Sequence, residues 1–258
     1  MKRVSVLGTE IDTLPLSEAV ERALSCMEQR RGAYVVTPNT EIVLSARKNS
    51  ALRDALDAAA LSLPDGAGVV LASRILATPI PRRIAGIDFA SALLRRMAEQ
   101  GRSVFLLGAR EGVSVHAAEK LQARYRGLLI VGEAHGFFTS EDEDALIGRI
   151  NALSPDLLLV CLGSPRQELW MRRNAPRLRV GLMAGLGGAL DVFAGDIKRA
   201  PETWRRCGLE WLYRLLCQPA RLKRDLVLPL IVPAAVAERL KRKRDNDGKR
   251  KTDRPRGD

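Results

Sequence analysis

The chain is poor in the residues that build metal and disulfide sites. It has two histidines and four cysteines in 258 residues, and Cys26, Cys161, Cys207 and Cys217 form no CxxC pair. Disulfide scaffolds and zinc modules are therefore poor readings, and a reducing cytosol is the expected compartment. Aromatic residues make up only 4% against 46% apolar residues overall. The expected core is thus Leu, Val, Ile and Ala, and the stacking platforms of a nucleic-acid binder are missing. No long apolar run is present either. The stretch 226–236 has 11 residues, whereas a spanning helix needs ~20. The opening MKRVSVLGTEIDTLPLSEAV carries acids and Pro15 where a signal peptide needs an apolar stretch, so none is expected.

What the chain does have is positive charge, +12 in total, unevenly spread. Residues 1–195 carry 24 Lys/Arg and 21 Asp/Glu, and residues 196–258 carry 18 and 9. An ordinary α/β front is followed by a basic appendage. Basic charge beside an apolar run points to anionic lipid or a phosphate ligand, with nucleic acid as the rival. Three segments are expected: an α/β domain at 1–195, a helical appendage at 196–240, and a low-complexity basic tail at 241–258, read as disordered. That tail is either solvated or membrane-contacting.

Apolar, β-rich runs at 4–7, 33–37, 61–63, 103–107, 128–131, 156–162 and 180–184 read as strands. Helical patterns at 17–30, 40–59, 67–76, 87–99, 111–125, 141–153 and 165–174 lie between them. The continuous run LLLVCL (157–162) is apolar on both faces, as in a parallel sheet. The expected fold is α/β, a Rossmann-like, mostly parallel sheet flanked by helices, with the helical basic appendage after it. In such sheets ligands bind beyond the C-terminal ends of the strands.

Those ends carry site-building residues. Thr37-Pro38-Asn39 reads as a helix cap that also suits a diphosphate or sugar hydroxyls. Asp65-Gly66 reads as a turn, or as a carboxylate at a cleft edge able to act as general base. Arg82-Arg83 is a solvated loop or a phosphate grip. GSPRQE (163–168) starts a helix, with Gln167 a candidate for the ligand. In GLGG (185–188) the third glycine of a GxGxxG would fall on Leu190, which disfavours a dehydrogenase. Asp142-Glu143-Asp144 has DxD spacing, but its context is a helix start rich in acids. Arg214, Arg221 and Arg224 align on one helical face if Pro219 only kinks the chain.

The stretches TPNTEIV (37–43), LPDGAGVV (63–70), RRIAGIDF (82–89), VFLLGAREGV (104–113), VGEAHGFF (131–138), PDLLLVCLGSPRQELW (155–170), GLGGALDVFAGDIKRAP (185–201) and GLEWLYRLLCQPARLKR (208–224) follow one another in a specific order and spacing. Together they resemble the WecG/TagA/CpsF family of bacterial glycosyltransferases over about residues 3–225. The stretch 225–258 has no strong match. The resemblance implies an inverting transfer of a hexose, of the N-acetylmannosamine, N-acetylmannosaminuronic acid or glucose class. The donor is a UDP-sugar, the acceptor a polyprenyl-diphosphate-linked sugar, and the products are cell-surface polysaccharide or exopolysaccharide. It implies no metal and no other cofactor. It makes Asp65 the general base, places Thr37, Asn39, Arg83, Gln167 and Asp191 in the polar pocket, and assigns Arg214, Arg221 and Arg224 to an appendage that closes over the site at the membrane. A cytoplasmic protein, peripheral at the inner face of the plasma membrane and able to self-associate, is expected, with no specific nucleic-acid partner. The rival reading is a non-catalytic nucleotide- or lipid-binding component of the same machinery.

Overall fold

A computed structural model describes residues 2–29, 32–197, 200–206, 212–213 and 228–252. Six strands form one all-parallel sheet: β3 (Tyr34–Val36), β4 (Leu61–Ser62), β5 (Ser103–Gly108), β6 (Leu129–Ala134), β7 (Leu157–Cys161) and β8 (Leu182–Gly185), in the order β4-β3-β8-β7-β5-β6. The reason is legible in β7. All five residues, LLLVC, are buried, and they alternate between two cores. Leu157, Leu159 and Cys161 face one layer, while Leu158 and Val160 face the other. Only a sheet covered on both sides satisfies that pattern.

The first layer contains α1 (Leu16–Gln29), α5 (Gly86–Glu99), α6 (Val113–Arg124) and α9 (Ala189–Ala194). The second contains α2 (Thr40–Ala46), α3 (Ser50–Asp57), α7 (Ser140–Leu153) and α8 (Arg166–Asn174). After β3 and β7 the chain turns into the second layer, and after β5 and β8 into the first. Neighbouring strand ends in the middle of the sheet therefore send their chains to opposite faces, which opens a crevice along that edge.

The first expected strand is not in this sheet. It is β1 (Arg3–Val6), paired antiparallel with β2 (Thr9–Asp12) through a two-residue turn at Leu7 and Gly8, both with positive φ. Leu at such a position carries no turn signal, and β2 is too polar to read as a strand. The expected helix 40–59 is two helices, because Asn49 leaves helical geometry and its Oδ1 accepts the Leu52 amide at 3.0 Å, starting α3 afresh.

The hairpin, α4 (Ala67–Ile75) and α11 (Ile231–Thr252) share a third small core of Val4, Val6, Ile11, Val69, Ala72, Leu76, Ile231 and Ala235. A short α10 (Glu202–Arg206) follows Pro201. Residues 241–252, part of the 241–258 tail read from the sequence as disordered, lie in α11, which runs through Thr252. Charge density alone reads as disorder, but Lys, Arg and Glu are good helix formers. The Arg242–Glu238 ion pair at 3.1 Å, four residues apart, supports the helix.

Asp12 ties the hairpin to the sheet edge. Its side chain is fully buried, accepts from Arg3 Nε at 3.0 Å, and accepts the Ser62 amide of β4 at 2.8 Å. Arg3 also donates to the carbonyls of Ala59 and Ala60, at 2.8 and 3.2 Å. An edge strand with free amides is thereby covered. Replacing Asp12 by alanine leaves a half-buried Arg3 head and a buried Ser62 amide without their carboxylate. The expected loss is about 1–3 kcal/mol by chemical denaturation, the scale of a buried amide left without its acceptor; a loss below about 0.5 kcal/mol would show that the hairpin is held by packing alone.

Candidate active site

The C-terminal edge of the sheet is laced by hydrogen bonds between loops. The Ile84 amide donates to the Pro64 carbonyl at 2.7 Å, which attaches the Arg83 loop to the end of β4. The Asp65 amide donates to the Pro38 carbonyl at 3.1 Å, joining β4 to β3. Thr37 Oγ1 donates to the Gly185 carbonyl at 3.2 Å, joining β3 to β8. The Gly187 amide donates to Gln167 Oε1 at 2.9 Å, joining β8 to α8. On the far side, the Ala109 amide reaches the Cys161 carbonyl at 3.2 Å, and the Gly136 amide reaches the Ala109 carbonyl at 2.8 Å.

This lacing brings the loops of Thr37, Asn39, Asp65, Arg83 and Gln167 together. Thr37 is buried, while Asn39, Asp65 and Arg83 are half-exposed. Asn39 is the N-cap of α2, accepting the Ile42 amide at 3.0 Å. Asp65 precedes Gly66, which caps α4 at φ +87° and ψ 148°, a conformation that only glycine adopts readily. α5 begins at Gly86, where an added Cβ would lie 3.4 Å from Thr37 Oγ1 and 3.3 Å from Leu186. The positive ends of α2, α4 and α5 thus face one edge that carries Asp65 and Arg83.

Asp191 sits in the first turn of α9, beyond the Gly185–Gly188 turn, beside Arg110 and Asp196. Burial raises its carboxyl above the ordinary aspartate range; its own backbone and Arg110 oppose this, and Asp196 adds to it. Arg214, Arg221 and Arg224 lie outside the described residues. The acids of the DxD-like run cap α7 and bond to α8 and Arg177. Asp142 completes a capping box with Thr139, Glu143 pairs with Arg173 and Asn174, and Asp144 pairs with Arg177 at 2.5 Å. That is the helix-start role its context suggested.

Gln167 is 2% exposed and both ends of its carboxamide are used. Oε1 accepts from Gly187, and Nε2 donates to Glu168 Oε1 at 2.8 Å. Sequence reasoning passed over Glu168, which is fully buried and whose Oε2 has no hydrogen-bond partner. An acid in the first turn of a helix usually reads as a solvated dipole partner, so only the structure distinguishes it. Arg166 was also passed over. It donates to the Gly136 carbonyl at 2.6 Å and lies 4.9 Å above the Phe138 ring.

Burial raises the Glu168 carboxyl above the ordinary glutamate range, against the lowering effect of Gln167, its own amide and Ser164; Glu41 adds to the rise. An acid that holds its proton more tightly when folded contributes full stability below its unfolded pKa. It loses that contribution as pH rises through the folded value. Glu168→Gln should therefore match the parent protein in thermal midpoint near pH 4 and exceed it at pH 8. Equal midpoints at both pH values would mean that the carboxyl is not desolvated.

With this geometry in hand, known proteins supply a context. A sequence profile described as the glycosyl transferase WecG/TagA/CpsF family matches residues 4–245. The chain is also 37% identical, over 210 residues, to an N-acetylglucosaminyldiphosphoundecaprenol N-acetyl-beta-D-mannosaminyltransferase of Bacillus spizizenii, an alignment covering 81% of each protein.

Proposed function

The chain belongs to the WecG/TagA/CpsF family of glycosyl transferases, and we propose that it moves a hexose from a UDP-sugar to a polyprenyl-diphosphate-linked sugar. The proposed reaction is a single in-line displacement that inverts the anomeric centre. The name of the Bacillus relative makes N-acetylmannosamine the first donor sugar to try, and a polyprenyl-diphosphate N-acetylglucosamine the first acceptor. The observation that carries the reading is the lacing of the Arg83 loop to the end of β4, of Asp65 to the end of β3, and of β3 to β8 through Thr37, at an edge where three helices begin.

In this mechanism the acceptor hydroxyl attacks the anomeric carbon while the nucleoside diphosphate leaves from the opposite face. Asp65 takes the hydroxyl proton as that bond forms, a role worth ~10²–10⁴ in rate. Charge on the departing diphosphate is met by Arg83 and by the backbone amides at the starts of α2, α4 and α5, with no metal ion needed. Arg214, Arg221 and Arg224 would add charge from the appendage. Asp191 is the candidate for accepting an N–H of the uracil ring.

The lipid acceptor requires the site to work at a membrane surface. Among the described residues no helix is long and apolar enough to cross one. α11 offers a surface instead. Val232, Val236 and Leu240 are exposed at four-residue spacing, and the helix continues into Lys241, Arg242, Lys243 and Arg244. An apolar stripe followed by a basic run supports peripheral binding to an anionic bilayer, at the cytoplasmic face where nucleotide sugars are available.

Asp65→Asn should lower transfer by about 10²–10⁴-fold with unchanged circular dichroism and thermal midpoint. Turnover near that of the parent protein would remove Asp65 from the general-base role. The same assay, run with UDP-sugars on a polyprenyl-diphosphate N-acetylglucosamine and read by mass spectrometry, should proceed unchanged in EDTA. A strict divalent-metal requirement would contradict the mechanism.

A further inference from the structure

We propose that Glu168 is a positioning residue of the donor site: it orients the Gln167 carboxamide, and through it the Gly185–Gly188 turn from which α9 carries Asp191. The inference rests on the reading of this edge as a UDP-sugar site.

A carboxamide presents a donor at one end and an acceptor at the other, and the Gly187 amide needs the acceptor. Rotating the group by half a turn would set its NH2 against the Gly187 N–H. What holds the correct orientation is the second bond, from Gln167 Nε2 to Glu168 Oε1 at 2.8 Å. Gln167 is 2% exposed and Glu168 is 0% exposed, so no bulk water replaces that acceptor. The strand beneath leaves room for the pair. At Gly185 an added Cβ would lie 3.3 Å from Gln167 Nε2 and 2.6 Å from the Met171 methyl. The turn is then held from both sides, by Thr37 on the Gly185 carbonyl and by Gln167 on the Gly187 amide, with Gly187 itself at φ +53°.

Stability alone does not account for an acid here. Its neighbours in α8 include Trp170, 3% exposed, and Met171, 0% exposed, and its Oε2 is left without a hydrogen-bond partner. Such a buried oxygen is costly, and an apolar side chain would remove that cost only by leaving Gln167 Nε2 without its acceptor. Stability forgone beside a binding loop is what a positioning role looks like.

The test uses the full chain with Glu168→Gln, Glu168→Leu and Glu168→Asp. Gln keeps an acceptor at the same reach, Leu removes it, and Asp is one methylene short. Two readouts are taken: hydrogen exchange of the Gly187 amide by NMR without ligand, and donor KM and kcat. Leu and Asp should speed Gly187 exchange and raise donor KM about tenfold each, the scale of one lost hydrogen bond. kcat should change less than threefold, and Gln should keep both readouts within threefold of the parent protein. Unchanged exchange and KM in the Leu variant would overturn the proposal. So would equal losses in Gln and Leu, or faster exchange across the whole sheet, which would mark a merely structural role. If the Leu variant does not fold, the Gln–Asp pair decides in the same way. If the parent protein transfers from no UDP-sugar, the donor-site reading fails. The Gly187 exchange still reports whether Glu168 orients the turn.

Discussion

The site depends on one constraint: six parallel strands end at the same edge, and the backbone groups of their exit loops must find partners there. Within a sheet each strand satisfies its neighbour. Past the last ladder bond that supply stops. The chain solves the problem by bonding loop to loop, in the order of the strands, from Ile84 and Pro64 at one end to Gly136 and Ala109 at the other. Two side chains, Thr37 and Gln167, add bonds between neighbouring exits. The loops that carry Asp65, Arg83 and Asn39 are thereby fixed relative to one another by the sheet rather than by their own rigidity. The metal-free transfer we propose would need that kind of preorganisation from the backbone.

Two fully buried acids show how differently the same side-chain type is used. Asp12 has both oxygens engaged, by Arg3 and by the Ser62 amide, and it closes an exposed sheet edge. Its burial is compensated, and its effect is on stability. Glu168 has one oxygen engaged and one not, and its partner is a carboxamide that holds a turn of the candidate site. Incomplete satisfaction of a buried carboxyl at a candidate binding loop, beside full satisfaction of one in the scaffold, is the pattern expected when local stability is traded for geometry.

Much of this was legible in the sequence. The apolar runs of β3, β5 and β7 and the 3.6-residue periodicity of the helices between them point to a parallel sheet. Reading the residues after each strand leads to Thr37, Asn39, Asp65 and Gln167. What was not legible has physical causes. The β1–β2 turn rests on Leu7 at positive φ, which sequence preference argues against. α9 has only six residues in a glycine-rich stretch, too few to show a period. The helical character of 241–252 was hidden by charge, which reads as solvation whether or not the backbone is helical. Glu168 looked like any acid in a first helical turn, because burial is a property of packing that no local pattern encodes.

The appendage helix and the candidate base are mechanically linked by packing. α4 starts at Ala67, two residues after Asp65, and its Gly68 is pressed between two neighbours. A Cβ there would strike Thr40 Oγ1 and lie 3.7 Å from Ile231. Ile231 and Ala235 share a buried core with Val69, Ala72 and Leu76, and Arg239 donates to the Ile75 carbonyl at 2.7 Å, near the other end of α4. α11 therefore lies along α4 with contacts at both ends. Any surface that engages the exposed stripe of Val232, Val236 and Leu240 is held in fixed relation to α4, and through Gly66 to Asp65. Under the proposed reaction on a lipid-linked acceptor, that geometry would set the height of the attacking hydroxyl above Asp65. The distance between a bilayer and the candidate site would then be a property of one helix–helix contact.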